Sequence, residues 1–214
     1  MTMNQQNNSW QTASSGREYL EQHVESLRSY LSDMDLASLE SMAELIDERV
    51  ISGNNIFCIG NGGSAATAAH LSTDLFFGRR LSGEQRPKAV SLVSNVPLMT
   101  ALSNDVGYDD VFVEQLNGLF QTGDMVIGIS ASGNSENVLR ALDFAKNNGG
   151  TALGLVGFNG GGMKSRCDIC VHIQTPGGEY ELVEDVHHAI CHMLAGYLKF
   201  KAISRRAESG SANE

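Results

Sequence analysis

The chain has no surplus of positive charge. Against 25 Asp and Glu stand 15 Lys and Arg, a formal net charge of −10 over 214 residues. A broad nucleic-acid surface needs a basic stripe, and this composition argues against one. Phosphate ligands remain open, because backbone amides and hydroxyls hold a phosphate without a cation. No apolar run approaches the roughly 18 to 20 residues that span a bilayer, so no transmembrane segment and no membrane partner is expected. The opening stretch MTMNQQNNSWQTASSG lacks the charged-then-apolar order of a secretory signal. Cysteine is sparse: four residues, two of them inside strand-like apolar runs, suit a reducing cytoplasm rather than a disulfide scaffold. Neither an internal repeat nor a coiled-coil register is present.

What the sequence does contain is alternation. Leu20, Val24, Leu27 and Leu31 fall at helical spacing, as do Leu36, Leu39, Met42, Ile46 and Val50. Asp33 and Asp35 supply a turn and an N-cap between these runs, which predicts an antiparallel helix pair leading into the core. From Asn55 onward, short apolar runs appear at Ile56–Ile59, Ala89–Val93, Met125–Ile129, Ala152–Val156 and Ile169–Ile173. Helix-capable segments at about 64–77, 97–103, 113–120, 135–147 and 181–201 separate or follow them. Near-continuous apolar strands divided by helices indicate a parallel sheet covered on both faces. The expected fold class is α/β: a three-layer, doubly wound, parallel five-stranded sheet with an N-terminal helix pair. Residues 1–16 and 204–214 are polar or small and charged and are expected to be disordered, leaving 17–203 as a single domain.

Two loops carry the chemistry. The first strand ends in Gly60-Asn61-Gly62-Gly63-Ser64-Ala65-Ala66 and opens onto a helix, where glycines let backbone amides approach an anion. This loop has no Gly-Lys-Ser/Thr and is not a P-loop, and its glycine spacing is not that of the dinucleotide fingerprint. A tight strand-to-helix turn explains the glycines equally well. The third strand ends in Ser130-Ala131-Ser132-Gly133-Asn134-Ser135, again before a helix. Helix capping needs one hydroxyl or amide, and three serines exceed that need, so this loop reads as a phosphate cradle.

GNGGSAA followed by SASGNS, in this order and spacing, resembles the sugar isomerase (SIS) fold, and within it the phosphoheptose isomerase family. Ala69-His70-Leu71-Ser72-Thr73-Asp74-Leu75, Ser103-Asn104-Asp105-Val106-Gly107-Tyr108 and Val183-Glu184-Asp185-Val186-His187 with His192 extend the similarity over about 18–200. The resemblance implies an aldose–ketose isomerase that converts sedoheptulose 7-phosphate to D-glycero-D-manno-heptose 7-phosphate through an enediol, for cell-envelope heptose synthesis. It implies substrate contacts from Asn61, Gly62, Gly63, Ser64, Asn104, Asp105, Ser130, Ala131, Ser132, Ser135 and Glu184. It further implies Asp74 as the base with His192 as partner acid, and one Zn2+ per subunit on His70, Asp74, Glu184 and His192. The family also implies a homotetramer with active sites at subunit contacts. Two positions depart from the family pattern: Asp74 stands where it has Glu, and Glu184 where it has Gln. The second reading is a non-catalytic SIS module that binds a phosphosugar or a protein, such as a replication-initiator-associating protein; those lack the acid and the second His present here. A third is an isomerase of a related phosphosugar.

Spacing adds its own constraints. His70 and Asp74 are i, i+4 and share a helix face, so both can reach one ion. Glu184 and His192 are two turns apart, about 12 Å of rise, which favours a site completed by a neighbouring chain. His188 forms a further i, i+4 pair with His192 and competes for the ion. On this helix a half-exposed face of solvated imidazoles is the alternative, fitting His187 and His188 better than His192. Cys167-Asp168-Ile169-Cys170 has neither a second pair nor a helix N-terminus and reads as structural. Met193, Leu194, Tyr197 and Leu198 read as core, and Gly160-Gly161-Gly162 as a turn after the fourth strand.

Overall fold

The computed structural model describes residues 13–78 and 85–210. The five apolar runs form five strands: β1 (Asn55–Gly60), β2 (Lys88–Ser91), β3 (Met125–Ser130), β4 (Thr151–Val156) and β5 (Ile169–His172). Their order is β2-β1-β3-β4-β5, with every neighbouring pair parallel. Strands β1, β3 and β4 are buried nearly end to end, which is why they read as continuous apolar runs and not as alternating ones.

Around the sheet lie α1 (Gly16–Ser32), α2 (Leu36–Ile51), α3 (Gly63–Gly78), α4 (Val96–Asp105), α5 (Val111–Leu119), α6 (Glu136–Asn147), α7 (Met163–Arg166) and α8 (Tyr180–Gly210). A 3-10 turn spans Tyr108–Asp110. The two-residue period of the strands sorts their side chains into two cores. On one face Cys58, Ile127 and Leu155 meet Met42, Ile46, Leu71, Leu75, Ile190 and Leu194 of α2, α3 and α8. On the other Phe57, Val126 and Ala152 meet Phe112, Leu116, Val138 and Leu142 of α5 and α6. Each large side chain buried this way contributes roughly 1.5–3 kcal/mol. The chain leaves β1 toward β2 on one side and returns to β3 on the other, so the loops after β1 and β3 open at the topological switch point of the sheet.

Several details differ from expectation. Asp35 does cap α2, accepting from the Ser38 N–H at 3.0 Å. Helix α1, however, has no buried residue, and Leu20 and Val24 are 63% and 66% exposed. It lies against α8, where His23 Nε2 stands 3.0 Å from Asp185 Oδ2, and its outer apolar stripe has no partner among the described residues. Helix α8 continues through 204–210, the start of the expected tail, while 1–12 and 211–214 lie outside the described residues. Leu194 and Leu198 are core, but Met193 faces outward into a shallow apolar groove with Leu36, Leu39, Ala43 and Tyr197. The four-residue helix α7 is too short to show a period.

His187 is the clearest correction. The expected solvated imidazole is fully buried, and neither ring nitrogen completes a well-formed hydrogen bond among the described residues. It points inward because it follows Val183 and Val186 on the face of α8 that packs on the sheet, one turn beyond the Val183 side chain that fills the space over Gly157. Burial pushes its pKa down to about 4, outweighing the Val156 carbonyl, which favours the charged form. The folded-state pKa therefore lies below the unfolded value of 6.5, and the unfolded chain takes up the proton first. The stability this neutral ring allows is complete above about pH 6.5 and is lost as pH falls toward 4, by up to about 1.4 kcal/mol per pH unit. Urea denaturation between pH 7 and pH 4.5 should show a shallower pH dependence for His187→Leu than for the wild type.

Candidate active site

The serine loop closes β3 at the carboxyl end of the sheet. Ser130 Oγ accepts from the Gly133 N–H at 3.1 Å and stands 3.5 Å from Ser135 Oγ, while Ser132 Oγ accepts from the Asn134 N–H at 3.3 Å. Gly133 takes a positive φ of 66°, and a Cβ there would run into the Gly160 carbonyl. Gly161 packs in turn on the Ser132 and Gly133 backbone, so the triple glycine buttresses the serine loop. Ser135 is the N-cap residue of α6, yet its hydroxyl makes no capping bond. The hydroxyls of this loop are gathered at a helix N-terminus without being spent on it, which is the arrangement a phosphate needs. Nearby, Ser64 is buried in the first turn of α3.

The two loops are joined by a paired amide. Asn61 Nδ2 donates to Asn137 Oδ1 at 2.8 Å, and Asn137 Nδ2 donates back to Asn61 Oδ1 at 3.0 Å. The Val138 N–H also donates to Asn137 Oδ1, at 2.9 Å. A backbone N–H can only donate, so it sets which end of Asn137 is oxygen and, through the pair, which end of Asn61 is. Tyr108 Oη donates to the same Asn61 oxygen at 2.8 Å. With its oxygen doubly engaged, Asn61 has one N–H left to offer a ligand. Asn137 carries no signal in the sequence, and Tyr108, although inside a segment that resembles the family, gives no sign of its partner, because Asn61 lies 76 and 47 residues away from them. Asn104 and Asp105 end α4 exposed, Asn104 donating to the Asp105 carboxylate at 2.7 Å.

Helix α8 runs alongside α3 in the same sense: Glu184 meets Gly63 at one end, and His188 and His192 meet His70 further along. His70 Nε2 lies 2.9 Å from both Asp74 Oδ2 and His192 Nε2, and His192 Nε2 lies 3.6 Å from the same Asp74 oxygen. His188 completes a triad with His70 and His192 whose ligand atoms all fall within 4.8 Å of one another. Burial, with His70 and His192 beside it, lowers the His188 pKa and favours its neutral ring. One ring proton on His70 Nε2 makes at most one straight hydrogen bond, so two contacts at 2.9 Å leave a donor deficit that a cation relieves. Donors on tetrahedral arms of about 2.0–2.1 Å stand about 3.4 Å apart, inside the observed spread. The residues present therefore fit a divalent metal of zinc's preferences.

Glu184 does not join this cluster. Its carboxylate lies over Gly63, in space that a Cβ at that position would fill. Burial, and then the charges of Glu181 and Asp185, raise its pKa. Cys167 precedes edge strand β5 and Cys170 lies within it, and a hydrogen bond between the thiols raises the pKa of Cys167 and lowers that of Cys170. They take no part in either loop. Removal of the pinning amide should be visible in stability: Asn137→Ala, at a side chain 2% exposed, is expected to cost about 1–3 kcal/mol in urea denaturation, and Tyr108→Phe less.

Known proteins match this chain in sequence and in architecture. The SIS domain family model matches residues 18–157. A protein of Aneurinibacillus thermoaerophilus named phosphoheptose isomerase is 35% identical over 187 residues, covering 85% of this chain and 93% of the relative. One of Synechocystis sp. with the same name is 36% identical, covering 85% and 94%. The solved phosphoheptose isomerase GmhA of Neisseria gonorrhoeae superposes with a TM-score of 0.75 at 26% identity, covering 85% of this chain and 95% of that one. On these matches the chain belongs to the phosphoheptose isomerase family of SIS-domain proteins.

Proposed function

We propose that this chain interconverts sedoheptulose 7-phosphate and D-glycero-D-manno-heptose 7-phosphate, an aldose–ketose isomerisation supplying heptose for cell-envelope polysaccharide. The observation that carries this reading is the gathering of serine hydroxyls that do not cap α6 at the switch point, together with a carboxylate held between imidazoles. Ser64, Ser130, Ser132 and Ser135 bind the phosphate, and the amides at Gly62, Gly63 and Ala131 line its approach. Asn61 offers its remaining N–H, and Asn104, Asp105 and Glu184 face the sugar oxygens. Binding energy gained at the phosphate orients the reacting end.

Asp74 takes the proton from the carbon beside the carbonyl while His192 gives one to the carbonyl oxygen, forming the enediol; Asp74 then returns its proton to the former carbonyl carbon as His192 takes back the proton of the other hydroxyl, which becomes the new carbonyl. One Asp74 oxygen is turned toward His70 and His192, which hold the carboxylate in place. His192 is the partner acid of that carboxylate. The metal is zinc, one per subunit, with His70, Asp74 and His192 holding it. When bound, it supplies a fixed positive charge beside the oxygen on which negative charge develops.

The site is shared between subunits. Helix α3 runs back from the carboxyl ends of the strands, so Asp74 lies eleven residues, about 16 Å of rise, from Gly63. That exceeds the length of a seven-carbon sugar chain. A phosphate held at the start of α3 therefore leaves the reacting carbons short of the same chain's Asp74, which supports an Asp74 supplied by a neighbour. Phe76 and Phe77 beside Asp74, and Phe200 and Ile203 on α8, are exposed apolar side chains that suit subunit contacts. The assembly is a homotetramer, and its free cysteines fit the cytoplasm.

Purified protein should convert sedoheptulose 7-phosphate to the aldose, followed by NMR; a metal-replete preparation without turnover rejects the reading. In calorimetry, replacing both Ser130 and Ser132 with Ala should weaken phosphosugar binding tenfold or more, since each charge-assisted bond is worth about 1.5–3 kcal/mol. Sharing is tested by complementation. Asp74 and His192 meet within one chain, so their Ala variants should not rescue each other after subunit exchange. The Ser130/Ser132 double variant mixed with Asp74→Ala should recover activity, and no recovery despite proven exchange excludes sharing.

A further inference from the structure

We propose that Cys167 and Cys170 form a thiol-oxidation site, a dithiol that a hydroperoxide closes to a disulfide, and that the closure reaches the serine loop through α7. Of the four cysteines, Cys58 and Cys191 are buried in the core, whereas Cys167 and Cys170 are partly exposed at the edge of the sheet. Their sulfurs converge on one point. Gly154 of β4 is the register partner of Cys170, and a Cβ on it would stand 2.6 Å from Cys167 Sγ and 3.2 Å from Cys170 Sγ. The missing side chain leaves a space that the two thiols share, and there they are hydrogen-bonded to each other. The pair is not a metal site: among the described residues, no third His, Cys, Asp or Glu ligand atom clusters with it.

The two thiols take different roles. The hydrogen bond from Cys167, and then the charge of Lys164, favour the Cys170 thiolate, which makes Cys170 the attacking group. Cys167 keeps its proton until the second step. The Cys170 thiolate attacks one oxygen of the hydroperoxide: an S–O bond forms, the O–O bond breaks, and the departing oxygen takes a proton from solvent. The Cys167 sulfur then attacks the sulfenic sulfur of Cys170. An S–S bond forms, the S–O bond breaks, and hydroxide leaves as water with the Cys167 proton. The dithiol is oxidised by two electrons and the hydroperoxide is reduced by two. In a reducing compartment such a bond is transient, and a dithiol reductant reopens it.

Closure draws the sulfurs to about 2.05 Å, well inside hydrogen-bond contact. Cys170 is held in the β4–β5 ladder, so the movement falls on Cys167. Cys167 is the C-cap of the single-turn helix α7, and its N–H donates to the Met163 carbonyl at 3.1 Å. At the start of that turn the Met163 N–H donates to the Gly133 carbonyl at 3.0 Å, and the Gly133 N–H donates to Ser130 Oγ at 3.1 Å. One helical turn and these hydrogen bonds thus tie the thiol to the serine loop. The effect on ligand binding rests on the reading of that loop as the phosphate site; the oxidation itself does not.

The test uses full-length protein, reduced and then treated with hydrogen peroxide. Intact mass should fall by two hydrogens, and peptide mapping after thiol blocking should place the bond between Cys167 and Cys170, with Cys58 and Cys191 still free. Cys167→Ser should stop at a sulfenic acid on Cys170 that dimedone traps, and Cys170→Ser should consume peroxide roughly tenfold more slowly than the wild type. In calorimetry with sedoheptulose 7-phosphate, binding should weaken roughly threefold or more in the oxidised wild type and return with dithiothreitol, because the phosphate donors have shifted. Cys170→Ser treated alike should show no such change. The oxidised and reduced wild type need no substitution, and melting curves check the folding of each variant. Absence of the Cys167–Cys170 bond in treated wild type overturns the proposal, and so does a bond formed with unchanged affinity. Reduced protein that forms the bond but binds no sedoheptulose 7-phosphate supports the oxidation site and overturns the substrate reading instead.

Discussion

The packing of α8 along α3 is the contact on which the rest of the candidate site depends. Leu71 and Leu75 of α3 and Ile190 and Leu194 of α8 are buried in one core over β1 and β3, and that apolar seam sets how the two helices line up. Gly63 lets the helices close at their starts, because its missing side chain leaves room for the Glu184 carboxylate. Once that end is set, the 3.6-residue turn fixes the level and direction of every later side chain on α8. His188 and His192 arrive at the level of His70 and Asp74, and His187 is turned into the core. The hydrophobic seam thus places polar side chains that could not hold one another in position alone.

At the other end of the molecule the governing constraint is electrostatic. The chain carries a net charge of −10, and its serine loop holds hydroxyls and helix-start amides with no lysine or arginine among them. Donors of this kind meet a dianion without adding a mobile side chain, and they are fixed by backbone geometry: the positive φ at Gly133, the buttress at Gly161 and the Asn61–Asn137 pair. Order β2-β1-β3 brings the two loops side by side, although 66 residues separate Ser64 from Ser130 in the chain. A parallel sheet with a switch point makes this juxtaposition unavoidable.

Much of this is legible in the sequence. Strands β1, β3 and β4 are buried on both faces and therefore apolar throughout, and the two loops announce themselves by glycine and serine content that turns and caps do not require. Asp35 signals the start of α2 because capping is a local bond, three residues long. The outward face of α1, the exposure of Met193 and the burial of His187 are not legible. Each depends on which neighbour a helix face meets, and Leu20 has the same spacing in sequence whether it is covered or bare.

The sequence by itself determined the α/β alternation, the two glycine- and serine-rich loops and the family to which they belong, because those arise from local periodicity and from short motifs whose members lie within a few residues. Tertiary structure alone decided which acid and which histidines meet. His70 and His192 are 122 residues apart, and their encounter is set by the rotation and sliding of α8 on α3, quantities that side-chain packing across the core chooses. The spacing of Glu184, His188 and His192 along α8 was legible from the 1.5 Å rise per residue; packing decided only that Glu184 lies over Gly63 and His188 against His70.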